Sequence, residues 1–267
     1  MIALVGAFDP LTAHVANALR AAGRAPLLCL LSARPAPAGD REDVLRFRPE
    51  HLGTLLQRLR DRGVEEVCFV GAVQRPRLDP AQLDEATKPL VPLILGALQK
   101  GDDGALRVLL RVFEERGFRV RAAQELAPDL LPPPGPLSAA RPSPRQEADA
   151  RRAEEVHRLL APADIGQGVV VKDGQVVAVE AAPGTDFMLR TVQGHADGAL
   201  FLKAPKRGQD RRVDLPVIGT HTIEAAREAR LGAVVVEAGG VIVLRREACA
   251  QLADAAGLVL WVREPAP

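Results

Sequence analysis

Between Lys203 and Gly219 the sequence reads KAPKRGQDRRVDLPVIG, gathering Lys203, Lys206, Arg207, Arg211 and Arg212 in a chain whose formal net charge is only +1. Like charges set this close together either stay solvated or meet an anion, because burying them without compensation is costly. Guanidinium forks match phosphate oxygens two at a time, and such charge-assisted bonds outweigh neutral ones. The residues that follow, GTHTIEAA, read as a helix start with Thr220 and Thr222 as N-cap candidates, whose free backbone N–H groups form a second anion-binding element. Asp214 is the odd member. A carboxylate among arginines can bind a divalent metal, orient a water, or pair with Arg211 or Arg212. Spacing alone leaves the solvated and the anion-binding readings both open.

PGTDFMLR (183–190) poses a similar choice. Thr185 reads as an N-cap and Asp186 as a first-turn acid that complements the helix dipole. The functional alternative makes Thr185 a phosphate donor and Asp186 a ligand to metal or hydroxyl. Asp102 and Asp103 read as acids at a helix N-terminus, and His221 as a capping or exposed residue beside the cationic loop. VGAFDP (5–10) lacks the full GxGxxG pattern, so a dinucleotide fingerprint is not supported. Cys29, Cys68 and Cys249 lie far apart in apolar surroundings with no CxxC, which predicts core thiols rather than a disulfide or a zinc site.

The elements that must position these residues follow from hydrophobic patterning. IALVG, PLLCLLS and EVCFVGAV are continuous apolar runs separated by the amphipathic patterns LTAHVANALRAAG and PEHLGTLLQRLRDRG, and KGDDGALRVLLRVFEERG leads into FRVRA. Such runs imply a parallel sheet covered on both faces, with ligands at the carboxyl ends of its strands. That places Gly6 and Gly71 among the expected substrate contacts. The stretch 127–150 is rich in proline and reads as a linker. Beyond it, GVVVKDGQVVAVE reads as a hairpin turning at Lys172-Asp173-Gly174, AVVVEAGGVIVLR as a second strand pair, and LVLWV as a closing strand. The expected fold is α/β: a Rossmann-like parallel-sheet N-terminal domain over 1–134 and a smaller mixed α/β C-terminal domain over 135–267 that carries the cationic loop.

Composition narrows the function classes. The 267 residues are 47% apolar and 26% charged, as in a soluble globular protein. Lys and Arg number 35 against 34 Asp and Glu, which leaves no basic field for nucleic acid. Seven Phe, one Trp and no Tyr give no base-stacking platform. No basic leader precedes a long apolar stretch and no run is long enough to span a bilayer, so a cytoplasmic location is expected.

DIGQGVVVKDGQVVAVEAAPGTDFMLR, LKAPKRGQDRRVDLPVIGTHTIEAA and VVVEAGGVIVLRRE together resemble the C-terminal domain of the UDP-2,3-diacylglucosamine pyrophosphatase family of the LpxI type. EEVCFVGAVQRPRL and KGDDGALRVLLRVFEERGF resemble its N-terminal domain in the same order. The most specific match is K-x-P-K-x-G-Q-D-x-R-x-D-L-P-x-I-G, from Lys203 to Gly219. The resemblance implies a hydrolase, usually with magnesium (Mg2+), that cleaves UDP-2,3-diacylglucosamine to UMP and 2,3-diacylglucosamine 1-phosphate (lipid X), with the active site between two domains. Asp214 falls on the family's candidate for essential chemistry. Lys203, Lys206, Arg211 and Arg212 then supply positive charge, with Arg212 and Lys206 as catalytic partners. Gln209 bonds a phosphate oxygen or sugar hydroxyl, Thr185 joins the substrate contacts, and Asp186 becomes a second carboxylate for metal or sugar.

Two departures stand out: VGAFDP where the family carries a Gly-rich AGGG-x-LP turn, and Pro183 where an acid is usual. A non-catalytic nucleotide-sugar binder of the same fold, or a hydrolase of another UDP-sugar, is the rival expectation; the retained Asp214 argues for chemistry. An acylated substrate needs an apolar groove, for which Leu90, Leu93, Ile94 and Leu98 are candidates unless they pack in the core. It also implies peripheral contact with the inner face of the membrane. A homodimer is compatible with all of this.

Overall fold

The computed structural model describes residues 1–31, 43–72, 78–98 and 101–265. Val73 and the side chains of Leu98, Asp102 and Asp103 lie outside what it describes. The chain divides into two compact units: 1–128 together with 210–214, and 129–209 together with 215–267.

The first unit runs β1 (Ile2–Gly6), α1 (Pro10–Ala21), β2 (Leu27–Leu31), β3 (Val44–Phe47), α2 (Leu52–Asp61), β4 (Glu66–Val70), α3 (Val91–Leu98), α4 (Gly101–Glu114), β5 (Arg119–Val120) and α5 (Ala123–Leu126). Its five strands are all parallel, in the order β3-β2-β1-β4-β5. This is the Rossmann-like arrangement that the apolar runs predict, although β3 carries no run long enough to announce it. Every residue of β1 is buried because both faces of the sheet are covered. Helix α2 buries Leu52, Leu55, Leu56 and Leu59 at helical spacing. Of the proposed groove residues, Leu90 is buried and Ile94 packs on the core, whereas Leu93 is half exposed.

The second unit runs β6 (Gly135–Pro136), α6 (Pro144–Leu160), β7 (Gly168–Lys172), β8 (Gln175–Val179), α7 (Thr185–Thr191), β9 (Leu200–Lys203), β10 (Val217–Ile218), α8 (Thr220–Glu228), β11 (Ala233–Glu237), β12 (Ile242–Val243), α9 (Arg246–Ala255) and β13 (Val259–Arg263). Six strands form a mixed sheet, β6-β13-β11-β9-β7-β8, in which β9, β11 and β13 are parallel and β6, β7 and β8 enter by antiparallel pairings. Two readings are corrected. The proline-rich stretch is not a free linker: β6 pairs with Trp261 and Val262, and the Leu260 N–H donates to Ser138 Oγ at 2.8 Å. Proline is tolerated there because β6 is an edge strand. Nor do the two strands of AVVVEAGGVIVLR pair with each other. β11 sits inside the mixed sheet, while β12 pairs in parallel with β10 in a separate two-stranded ribbon.

All three cysteines are buried and free; burial pushes the Cys29 and Cys68 thiols up to about 12. Among the buried polar groups of the first unit is Glu66, which opens β4. It accepts hydrogen bonds from Arg121 at 2.7 Å and from Arg24, with Arg119 at 3.7 Å. Burial alone would push its carboxyl up, but the two hydrogen bonds, with the charges behind them, outweigh that and hold it below its ordinary value. A carboxyl whose folded value is depressed adds stability above its unfolded value, and that stability is lost as pH falls through the folded value. Glu66→Gln weakens these charge-assisted bonds but leaves only partly exposed guanidiniums behind, so it is expected to lower the unfolding free energy by about 1–2 kcal/mol at neutral pH. Urea denaturation checks this, and the gap between the two proteins should close as the pH falls below 4.5.

Candidate active site

The signature stretch belongs in part to each unit: Lys203–Gln209 to the second, Asp210–Asp214 to the first. In the second unit, β9 reads LFLK and all four residues are buried. Lys203 is 4% exposed, so its ammonium must meet a counter-charge inside the protein. Nζ donates to Glu180 Oε2 at 2.7 Å and to Thr185 Oγ1 at 2.5 Å, and the Thr185 hydroxyl donates to the same Glu180 oxygen at 3.0 Å. This corrects the reading of Thr185 as an N-cap. Its hydroxyl is taken by the ion pair, and Gly184, with φ at 86°, caps α7 instead. Likewise Gly219 caps α8, Thr220 is the first helical residue, and Thr222 Oγ1 reaches back to the Gly219 N–H at 3.4 Å.

Past β9 the chain turns through Lys206. Its backbone N–H donates to Gln209 Oε1 at 3.1 Å, and Gln167 Nε2 donates to the same oxygen at 3.3 Å. The Lys206 ammonium pairs with Asp164. Asp186 Oδ2 lies 3.3 Å from His221 Nε2, both side chains at least half exposed.

In the first unit, Asp210–Asp214 forms a turn in which Val213 N–H and Asp214 N–H donate to the Asp210 carbonyl at 3.1 and 3.2 Å. Arg212 organises it. Its Nε and Nη2 donate to the Asp210 carboxylate at 3.0 and 2.7 Å, and Nη1 donates to Glu114 Oε1 at 2.5 Å. The Arg212 hydrogen bond holds the Asp210 carboxyl below its usual range, and Asp210 followed by Glu114 raises the guanidinium's own value. Val213 packs against the core of the first unit, and the Arg211 carbonyl accepts from Gln124 Nε2 at 2.9 Å. Arg211 itself is exposed and Asp214 is half-buried.

Gly6 and Gly71 stand where β1 and β4 leave the sheet. A Cβ on Gly6 would come within 2.1 Å of the Val70 carbonyl oxygen, and one on Gly71 within 2.2 Å of the Ala7 carbonyl oxygen. Their φ angles of 149° and 91° lie in the region that favours glycine. Backbone approach thus accounts for both glycines. Asp9 ties the same two exits together, accepting from Thr12 N–H and Ala72 N–H at 2.9 Å each. A carboxylate thereby occupies the α1 N-terminus, where dinucleotide folds place a pyrophosphate.

The cationic cluster is therefore largely matched within the protein. Lys203, Lys206 and Arg212 each hold a carboxylate, and the partners Glu180, Asp164, Asp210 and Glu114 escape sequence reasoning. A partial signal was present: a lysine closing an otherwise apolar strand needs a buried acid, and Asp210 stands two residues before Arg212. For magnesium, no three His, Cys, Asp or Glu side chains gather among the described residues as a protein-only cage requires. Magnesium commonly takes one or two carboxylates and completes its octahedron with water and substrate phosphate, and the hard oxygen donor of Asp214 suits that mode.

Comparison with known proteins agrees with this picture of a two-part chain. The family model for the LpxI N-terminal domain matches residues 2–130, and that for the LpxI C-terminal domain matches residues 133–261. The UDP-2,3-diacylglucosamine pyrophosphatase LpxI of Caulobacter vibrioides is 37% identical over 273 residues, covering 99% of this chain and 98% of that protein.

The buried pair has a measurable signature. Lys203→Ala leaves Glu180 buried without its cation and is expected to cost about 3 kcal/mol, whereas Lys203→Met combined with Glu180→Gln recovers at least half of that loss. Chemical denaturation of the single and double variants checks both values.

Proposed function

The chain belongs to the LpxI family, and from that premise we propose that it hydrolyses the pyrophosphate bond of UDP-2,3-diacylglucosamine, giving UMP and 2,3-diacylglucosamine 1-phosphate, a step of lipid A biosynthesis. The observation that carries this reading is the unbroken signature from Lys203 to Gly219, in which Asp214 closes a turn fixed by Arg212. Hydrolysis replaces one phosphoanhydride P–O bond by a P–O bond to the oxygen of water. The protein's task is to place the diphosphate and the water and to balance the charge that shifts onto oxygen.

Asp214 is our candidate for the essential carboxylate, either orienting the attacking water or holding magnesium. When bound, the cation would neutralise charge on the phosphoryl oxygens. Arg212 is held by two acids and so contributes mainly by fixing the turn that carries Asp214. Lys206 and Gln209 are assigned to the substrate side, with Lys203 and Thr185 behind them in the same unit as the buried support, and Arg211 is assigned to the substrate separately. Asp186, facing His221, is a separate candidate for metal or sugar contact.

Among the described residues no helix is long and apolar enough to cross a membrane. We extend the reading to peripheral contact with the inner membrane face, supported by the half-exposed Leu93 and Leu95 on α3 and by Phe8, 62% exposed. A homodimer belongs to the same proposal.

Incubating the purified protein with UDP-2,3-diacylglucosamine and magnesium should release UMP, and EDTA should stop the release. Binding without turnover would leave only the non-catalytic reading, and faster turnover of an unacylated UDP-sugar would move the substrate assignment. Asp214→Ala is expected to lower kcat at least about 1,000-fold while substrate still binds, as measured by single-turnover kinetics and equilibrium binding. Arg212→Ala should lower kcat more than it raises KM.

A further inference from the structure

Helix α6 buries two polar side chains, Asp149 and His157, on the face that also carries Ala150 and Ala153. Both hold backbone in the sheet beside them. The Asp149 carboxylate accepts from Gly174 N–H at 2.7 Å and Asp173 N–H at 3.2 Å, which fixes the turn of the β7–β8 hairpin. His157 hydrogen-bonds to the backbone of Ala204. Its Nε2 is buried without any hydrogen-bond partner, so the bond runs from Nδ1–H to the Ala204 carbonyl. The Ala204 N–H in turn donates to the Gln167 carbonyl at 2.9 Å. Ala204 is the link between Lys203, locked in its ion pair, and the turn that carries Lys206 and Gln209. It is gripped from both sides.

The charged groups acting on the imidazole are the Lys203 and Lys206 ammoniums and the Glu180 carboxylate. The residue is only 8% exposed. Burial is the largest influence and pushes the imidazole below its ordinary value of 6.5. The Ala204 bond and Glu180 act the other way, and the two lysines reinforce burial. A proton added at Nε2 would create a buried N–H with no acceptor, on a ring facing two ammoniums.

We propose that His157 is a positioning residue: as the neutral Nδ1–H tautomer it fixes the Ala204 carbonyl, and through it the placement of Lys206 and Gln209; the imidazolium keeps its Nδ1–H donor, so the hold is lost on protonation because the charged ring, with no acceptor for Nε2–H inside, leaves its buried site. The kinetic part of this proposal rests on the function assigned above; the structural part does not. A depressed folded value means the hold is complete above the ordinary value of 6.5 and is lost as pH falls through the folded value. The protein should therefore show an acid limb in kcat set by a group that touches neither substrate nor reacting atoms.

The test uses the full-length protein. NMR titration of the His157 ring is expected to give a midpoint below 6.5, with the amide resonances of Lys206–Gln209 moving at the same midpoint. His157→Asn keeps a donor for the Ala204 carbonyl but cannot titrate, so it should restore most of kcat at neutral pH and abolish the acid limb. His157→Phe fills the space without a donor and should lower kcat about tenfold with a much smaller change in KM. The proposal is overturned by amides at 206–209 that ignore the His157 titration, by an acid limb that persists in His157→Asn, or by a folded His157→Phe with wild-type kcat. If His157→Phe fails to fold, the titration and the asparagine variant still decide. If the wild-type protein releases no UMP, the functional assignment falls, while the NMR titration continues to test the coupling of His157 to the turn.

Discussion

Charge compensation around a single buried lysine governs the second unit. Lys203 ends a strand with no solvent on either face, and an ammonium in that position is tolerable only with a carboxylate in contact. Glu180 provides it from just beyond β8, and Thr185 joins from the first turn of α7. One ion pair thus ties together the hairpin, the following helix and the strand that leads into the signature turn. Because the pair is buried and hydrogen-bonded, its geometry is held tightly, and the next residues of the chain inherit that precision of placement.

The same economy recurs in the first unit. Arg212 is gripped by Asp210 and Glu114, which turns a short polar stretch into a defined loop and sets Asp214 at its end. At the sheet, Gly6 and Gly71 let the exits of β1 and β4 approach closely, and Asp9 closes the gap with its carboxylate. A Rossmann-like topology is retained there while the α1 N-terminus is filled by the protein's own anion.

Much of the architecture was legible because it rests on local patterning. Continuous aliphatic runs such as IALVG and EVCFV can only be buried strands, and the 3.6-residue period of LGTLLQRLRD allows one face inward. The proline-rich stretch misled, because its backbone partners lie more than a hundred residues away, at Leu260 and Asp254. The caps of α7 and α8 misled as well. Thr185 is a good N-cap by type, but a buried ammonium competes for its hydroxyl and wins.

The sequence by itself determined the α/β class, the parallel sheet, the concentration of cations between Lys203 and Arg212, and the family signature around Asp214, since each of these is written in residues that are neighbours along the chain. Only the tertiary structure decided which acids meet those cations. Glu180, Asp164 and Glu114 stand 23, 42 and 98 residues from their partners, and counter-charges are chosen by proximity in space, which spacing along the chain does not encode. The role of His157 was hidden for the same reason: a histidine in the last turn of a polar helix acquires its meaning from the carbonyl it faces.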